Sequence, residues 1–172
     1  PYAKAKLENH MSIENLRTEY EWEIYSGIMF NHESEYRKNN YLFMKIINTA
    51  INISKGSEDN LTLGSTEYIR DWSYAKDVSQ AVFKITNYGK EGTYVIGSGI
   101  EHKIIDIVEN VFKYLKLNWE EHLYIDNSLL RKGDPARVVA DPTKINNELN
   151  WKAKTSFKEI LERCIEYRIN NY

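Results

Sequence analysis

Tyr2-Ala3-Lys4-Ala5-Lys6 sets a tyrosine and a lysine four residues apart. In a helix that spacing puts both side chains on one face, about one turn apart. The lysine's charge would favour the tyrosinate and draw down a phenol pKa that is ordinarily about 10, toward a value useful for a general base. Spacing alone does not decide the matter, because a solvated helix face carries such pairs too. Other chemistries find less. The four histidines, at positions 10, 32, 102 and 122, show no metal-ligand spacing, and there is no zinc signature or nucleophile elbow. No glycine-rich phosphate fingerprint follows a strand, and Gly97-Ser98-Gly99 is too short to be one.

The elements that must position the pair can be read from periodicity. Residues 2 to about 21 read as a helix with an approximate stripe of Leu7, Met11, Ile13, Leu16 and Tyr20. Glu23 to Phe30 follows as a largely buried strand, and the polar stretch Asn31 to Asn40 as a loop. A second helix is expected from about Tyr41 to Ser54, stopped at Lys55-Gly56. Leu61 to Gly64 reads as a short strand and turn, Tyr68 to Trp72 as another strand, and about Tyr74 to Thr86 as a helix. Thr93 to Ile96 is a short apolar strand between Gly92 and Gly97. From His102 to Leu117 a strongly amphipathic helix is marked by Ile104, Ile105, Ile107, Val108, Val111, Phe112 and Leu115. Two short helices, about 142 to 149 and 156 to 169, close the chain. The alternating order makes the class α/β.

Composition bounds the partners. The 172 residues fall within the usual size of one domain, and 42% hydrophobic with 28% charged residues is a globular balance. Lys and Arg number 23 against 25 Asp and Glu, a net charge of −2. That leaves no global field for nucleic acid or an anionic membrane, so any phosphate site must be local. No apolar run approaches the ~18 residues that span a bilayer. Cys164 is the only cysteine, which excludes an intrachain disulfide or a cysteine zinc cluster and fits the cytoplasm. The chain begins with Pro1 rather than Met, as a segment of a longer product would.

A Tyr-x-x-x-Lys helix followed by a buried strand resembles the extended short-chain dehydrogenase/reductases. Gly27-Ile28-Met29-Phe30-Asn31-His32-Glu33-Ser34 is similar, more narrowly, to the GDP-mannose 4,6-dehydratase family. The likeness returns in Ile69-Arg70-Asp71-Trp72 with Ala75-Lys76-Asp77. It continues in Gly133-Asp134, in Ala140-Asp141-Pro142-Thr143-Lys144 and in Leu149-Asn150-Trp151-Lys152. It thus covers essentially the whole chain, with several motifs in the right order.

The resemblance implies the last strands of a Rossmann-like parallel sheet plus a smaller substrate-binding lobe, their segments interleaved over residues 1–172. The dinucleotide-binding half would lie upstream. Tyr2 would take the proton from the sugar 4-hydroxyl while hydride leaves C4 for NADP or NAD, and Lys6 would hold the nicotinamide ribose. Asn31 matches a position that contacts the substrate diphosphate, and His32 lies near the nicotinamide end of the cofactor. Lys45, Arg70 and Arg131 match positions on the nucleotide diphosphate sugar, and a guanidinium suits phosphate because it offers a planar, permanently charged donor array. Asp134 would accept from a ribose hydroxyl. After Glu33-Ser34 the family usually has a proline and a pair of arginines before a glycine, in a loop that helps bind cofactor across a subunit contact. Here Glu35-Tyr36-Arg37-Lys38 keeps only part of that charge, with Arg37 left as the cofactor-binding candidate.

The Ser/Thr partner of the tyrosine and the glutamate that removes the C5 proton would also lie upstream, so the chain alone is expected to bind cofactor poorly and to catalyse nothing. The expected parent is a homo-oligomeric nucleotide-sugar 4,6-dehydratase acting on GDP-mannose or a related GDP-sugar. An epimerase or 4-reductase of the same family, or a non-catalytic nucleotide-sugar-binding module, is the alternative.

Overall fold

A computed structural model of the protein describes residues 2–171. In chain order the elements are α1 (Tyr2–Tyr20), β1 (Tyr25–Met29), β2 (Asn31–Glu33), α2 (Leu42–Ser54), β3 (Leu61–Leu63), β4 (Ile69–Arg70), β5 (Trp72–Tyr74), α3 (Ala75–Tyr88), β6 (Gly92–Ile96), β7 (His102–Lys103), α4 (Ile104–Tyr114), β8 (Leu123–Ile125), β9 (Arg137–Val138), α5 (Thr143–Leu149) and α6 (Phe157–Asn171). The molecule is α/β, with β1 parallel to β6, β2 to β5, and β3 to β8. At Phe30, whose N–H still donates to the Ile96 carbonyl, the chain leaves β6 and takes up β5 as its partner. β4 lies between β7, antiparallel, and β9, parallel.

Two apolar cores hold these ladders. The larger joins α2, α4 and α6 to β3 through residues such as Phe43, Ile47, Leu61, Ile107, Phe112, Ile160 and Cys164. The smaller packs α3 and α5 against β6 through Val78, Ala81, Ile85, Tyr94, Ile96, Ile145 and Trp151. Trp151 also donates from its indole to the Asp77 carbonyl, and the Asp77 carboxylate accepts from the backbone of Lys154 and Thr155. The tail leading into α6 is thereby tied to the start of α3.

Several expectations need correction. Asn31–Glu33 is a strand and not part of a loop, because its backbone finds β5 as a partner. The expected strand from Tyr68 to Trp72 divides at Asp71 into β4 and β5, which belong to different sheets. β7 occupies the first residues of the expected helix at 102, and β8 and β9 were not foreseen. The strand over Glu23 to Phe30 is formed as β1 over Tyr25–Met29, with Tyr25 and Ser26 half-buried and Gly27, Ile28 and Met29 exposed, the bare face expected where the earlier strands of the sheet are not part of the chain. α1 is a helix as read, but it has no buried residue: of its apolar stripe only Ile13 and Leu16 are even half-buried. Among the described residues no helix is long and apolar enough to cross a membrane.

Candidate active and substrate site

Tyr2 and Lys6 sit in the first turns of α1, both exposed, with the Lys6 ammonium 5.6 Å from the centre of the Tyr2 ring. The i,i+4 spacing therefore produces the shared face it calls for. The pair is open to whatever lies beside the helix, and no core side chain packs on Tyr2, which is 76% exposed.

A second group surrounds β2. Asn31 is exposed at its start, beside Trp72 of β5. His32 is half-buried, its Nδ1 lying 2.9 Å from the Phe30 carbonyl oxygen. Arg37 is held on three sides. Its Nε donates to Glu33 at 2.7 Å, its Nη2 donates to the His32 carbonyl at 2.7 Å, and its guanidinium stacks 4.3 Å over the Tyr41 ring. Glu33 is buried, and desolvation pushes its carboxyl above the usual range even though Arg37 pulls the other way; the same bond raises the Arg37 guanidinium. Arg37 is thus more anchor than free cation. The cavity beside it, about 290 Å³, is lined by His32, Ser34, Arg37, Lys38 and Tyr41 among others, and Lys38 is its exposed charge.

The third group stands at β4. Arg70, the last residue of that strand, donates from Nη2 to Asp134 at 2.9 Å and stacks over Tyr68. The Asp134 N–H donates to the Arg131 carbonyl, so Arg131 belongs to the same turn and its own side chain is exposed. Arg70, Asp134 and the Arg131 turn are therefore brought together across a gap of about sixty residues, with a carboxylate against one arginine. Lys45 stands elsewhere: its ammonium donates 2.6 Å to the Thr62 carbonyl of β3. Asp71 underpins the Arg70 position. It is fully buried and accepts from Ser98 N and Oγ, Gly99 N and Ala140 N. A buried carboxylate needs such partners to offset its lost hydration.

The model of the GDP-mannose 4,6 dehydratase family matches residues 1–164, nearly the whole chain. The chain belongs to that family. GDP-mannose 4,6 dehydratase 1 of Arabidopsis thaliana is 30% identical over 166 residues, covering 96% of this chain and 46% of that relative. The Homo sapiens GDP-mannose 4,6 dehydratase is 28% identical over 182 residues, again covering 96% of this chain and 49% of its own. The chain thus spans about half the length of the curated relatives it matches. Among solved structures, that of RMD from Pseudomonas aeruginosa complexed with NADPH superposes over 100% of this chain and 57% of its own, with a TM-score of 0.89 at 20% identity, a likeness of fold.

The structure shows where the residues of Glu35-Tyr36-Arg37-Lys38 go, a stretch read from the sequence as a departure from the family's usual loop. The Glu35 carboxylate accepts from the Tyr74 hydroxyl, and Tyr36 stacks edge-on against Tyr167 of α6. Sequence reasoning missed Glu33 and Asp71 as organisers. Glu33 stands four residues before Arg37, a spacing that could have flagged the pair, but that cue is helical and this segment is not. Asp71 gives no local sign, since its donors come from residues 98, 99 and 140.

Proposed function

We propose that this chain is the catalytic-helix and substrate-side portion of an NAD(P)-dependent nucleotide-sugar 4,6-dehydratase, acting on GDP-mannose or a related GDP-sugar within a homo-oligomer. The observation that carries the reading is the meeting of Arg70 with Asp134 and the Arg131 turn, since nothing in local folding requires it. Arg70 would release Asp134 to bind diphosphate oxygens through charge-assisted hydrogen bonds, and Asp134 would accept from a ribose hydroxyl. Arg131, exposed in the same turn, would add charge to the phosphate side, and Asn31 an amide. Lys45 would join only by leaving the Thr62 carbonyl.

Tyr2 would accept the proton of the sugar 4-hydroxyl as C4 is oxidised to the ketone. Lys6 carries the sign of charge that favours anion building on the phenol oxygen, and its ammonium suits a ribose hydroxyl. His32 and Arg37 would border the cofactor, with Lys38 as the charge facing solvent. Lys6 and Lys38 fit a nicotinamide dinucleotide in being exposed and cationic, and His32, Arg37 and Lys38 in lining a cavity. The chemistry that such a cofactor would supply there is acceptance of hydride from C4 and its return to C6. Water would be lost between, a proton leaving C5 and hydroxide leaving C6, and a proton would return to C5 as hydride adds at C6, so that the overall reaction is redox-neutral.

In the intact protein, Tyr2→Phe is expected to leave GDP-mannose binding nearly unchanged and to lower turnover by at least about a hundredfold, the scale of a lost general base. Arg70→Ala should weaken GDP binding by roughly 1.5–3 kcal/mol, with a smaller effect on guanosine. Calorimetry and a steady-state assay read both, and lost affinity with normal turnover in Tyr2→Phe would sink the catalytic assignment.

A further inference from the structure

We infer that Asp71 is a positioning residue for the diphosphate site, holding the Arg131–Asp134 turn in place when Arg70 leaves Asp134 for the substrate; this rests on the substrate reading of those residues. The sheet that carries them is slight. β7, β4 and β9 are two residues each, so the strands give one another only a few ladder bonds. Arg70 pairs with His102 on one side and with Val138 on the other.

Asp71 follows directly on β4, and its carboxylate reaches the chain beyond both neighbouring strands. One oxygen accepts from the Ser98 N–H at 3.0 Å and from the Ser98 hydroxyl at 2.6 Å. The other accepts from the Gly99 N–H at 2.8 Å and from the Ala140 N–H at 3.3 Å. Ser98 and Gly99 lead into β7, and Ala140 comes just after β9. Two successive N–H groups aimed at one anion, with Gly99 in the left-handed region at a φ of 76°, make the kind of backbone nest that elsewhere takes phosphate. Gly97-Ser98-Gly99, too short for a dinucleotide fingerprint, thus holds an anion that the chain itself supplies. Asp71 is fully buried, so these donors stand in for its lost hydration.

The segment from Asp134 to Ala140 is therefore tied on both sides of β9. Upstream, Arg70 donates to the Asp134 carboxylate; downstream, the Ala140 N–H donates to Asp71. A diphosphate competes with Asp134 for the Arg70 guanidinium, and taking it undoes the upstream tie. What then keeps Arg131 and Asp134 at the ligand is the short β9 ladder, with the Ile69 N–H on the Ala136 carbonyl at 2.8 Å, and the Asp71 tie. Every partner in this set lies between residues 69 and 140 of the chain. Asparagine at 71 would keep the shape but turn one acceptor oxygen into an N–H donor facing other N–H groups. The turn would then be in place for only a fraction of the time, and the affinity of a ligand that needs it falls by that fraction.

The test measures GDP binding to the intact protein by calorimetry. Asp71→Asn is expected to weaken it at least about tenfold, and amide exchange over residues 131–140 should quicken while α4 keeps its protection. The deciding arm is a double-mutant cycle with Arg131→Ala, since that side chain reaches the ligand only from the turn. Arg131→Ala should weaken GDP binding at least about fivefold in the wild-type background, but less than about twofold in Asp71→Asn, where the turn is already loose. Ser98→Ala, which removes the shortest of the four bonds, should show the same pattern more weakly and serves if Asp71→Asn does not fold. Equal losses from Arg131→Ala in both backgrounds, or faster exchange throughout the molecule, would overturn the inference in favour of a general structural role. So would undiminished GDP affinity in Asp71→Asn. Arg70→Ala is run alongside: if it binds GDP as wild type does, the substrate reading has failed, whereas a weakened Arg70→Ala beside an unaffected Asp71→Asn defeats the Asp71 role alone.

Discussion

Glu33 shows how much of the site depends on single buried charges. Desolvation raises its carboxyl, so the folded protein holds that proton more tightly than the unfolded chain does. Its contribution to stability is then complete below the unfolded value of roughly 4.3 and is lost as pH rises through the higher folded value. Urea unfolding of wild type and Glu33→Gln at pH 4 and pH 7 should therefore show the difference between them moving against wild type as pH rises. Movement in wild type's favour would mean that the Arg37 pair outweighs burial. At this scale the sequence revealed what a single helix contains, Tyr2 and Lys6, because helical spacing fixes their relation. It could not reveal Glu33 as the anchor of Arg37. Nor could it reveal Asp71 as the hub beneath Arg70, since the donors come from distant segments.

Elements were legible where one face is apolar and the whole run packs. The stripe of α4 is buried at Ile104, Ile107, Val108, Val111 and Phe112, and that of α2 at Phe43, Met44, Ile46, Ile47, Ala50, Ile51 and Ile53. The two-residue strands and the polar Asn31-His32-Glu33 gave no such sign, because their pairing is set by what lies beside them. In α1 and β1 apolar residues remain exposed, at Leu7, Met11, Ile28 and Met29, in a chain that spans about half the length of its relatives. The junction after β6 leaves no room for a side chain. A Cβ added at Gly97 would lie 2.4 Å from the Ala140 Cβ and 2.9 Å from a carboxylate oxygen of Asp71. Gly97→Ala should thus force β6 away from the segment before α5 and cost about 1–3 kcal/mol or more. Chemical denaturation measures it, and a loss under ~0.5 kcal/mol would show that the junction yields freely.

The molecule as a whole is two apolar cores bridged by parallel ladders, and Cys164 reports on the larger of them. It is fully buried, and burial pushes its thiol up to about 12. Because the thiolate is the reactive form, labelling in the folded protein at pH 8 should run at least about a hundredfold slower than in urea. Brisk labelling without denaturant would mean that α6 opens on its own. The α/β class and the family were legible at this scale because ordered motifs survive along the whole chain, while the division into two cores was not, being a property of packing. The ladders carry one more consequence. Tyr25 pairs with Gly92 and Leu61 with Leu123, and no described strand pair is a hairpin. Such remote pairing must close long loops before any ladder bond rewards it, which makes for slow folding. On the ribosome, β1 and its exposed Ile28 and Met29 emerge long before β6 has been synthesised. β1 therefore meets its β6 partner only after about sixty further residues have been translated, and the yield in the cell should depend on holdase chaperones more steeply than the final stability does.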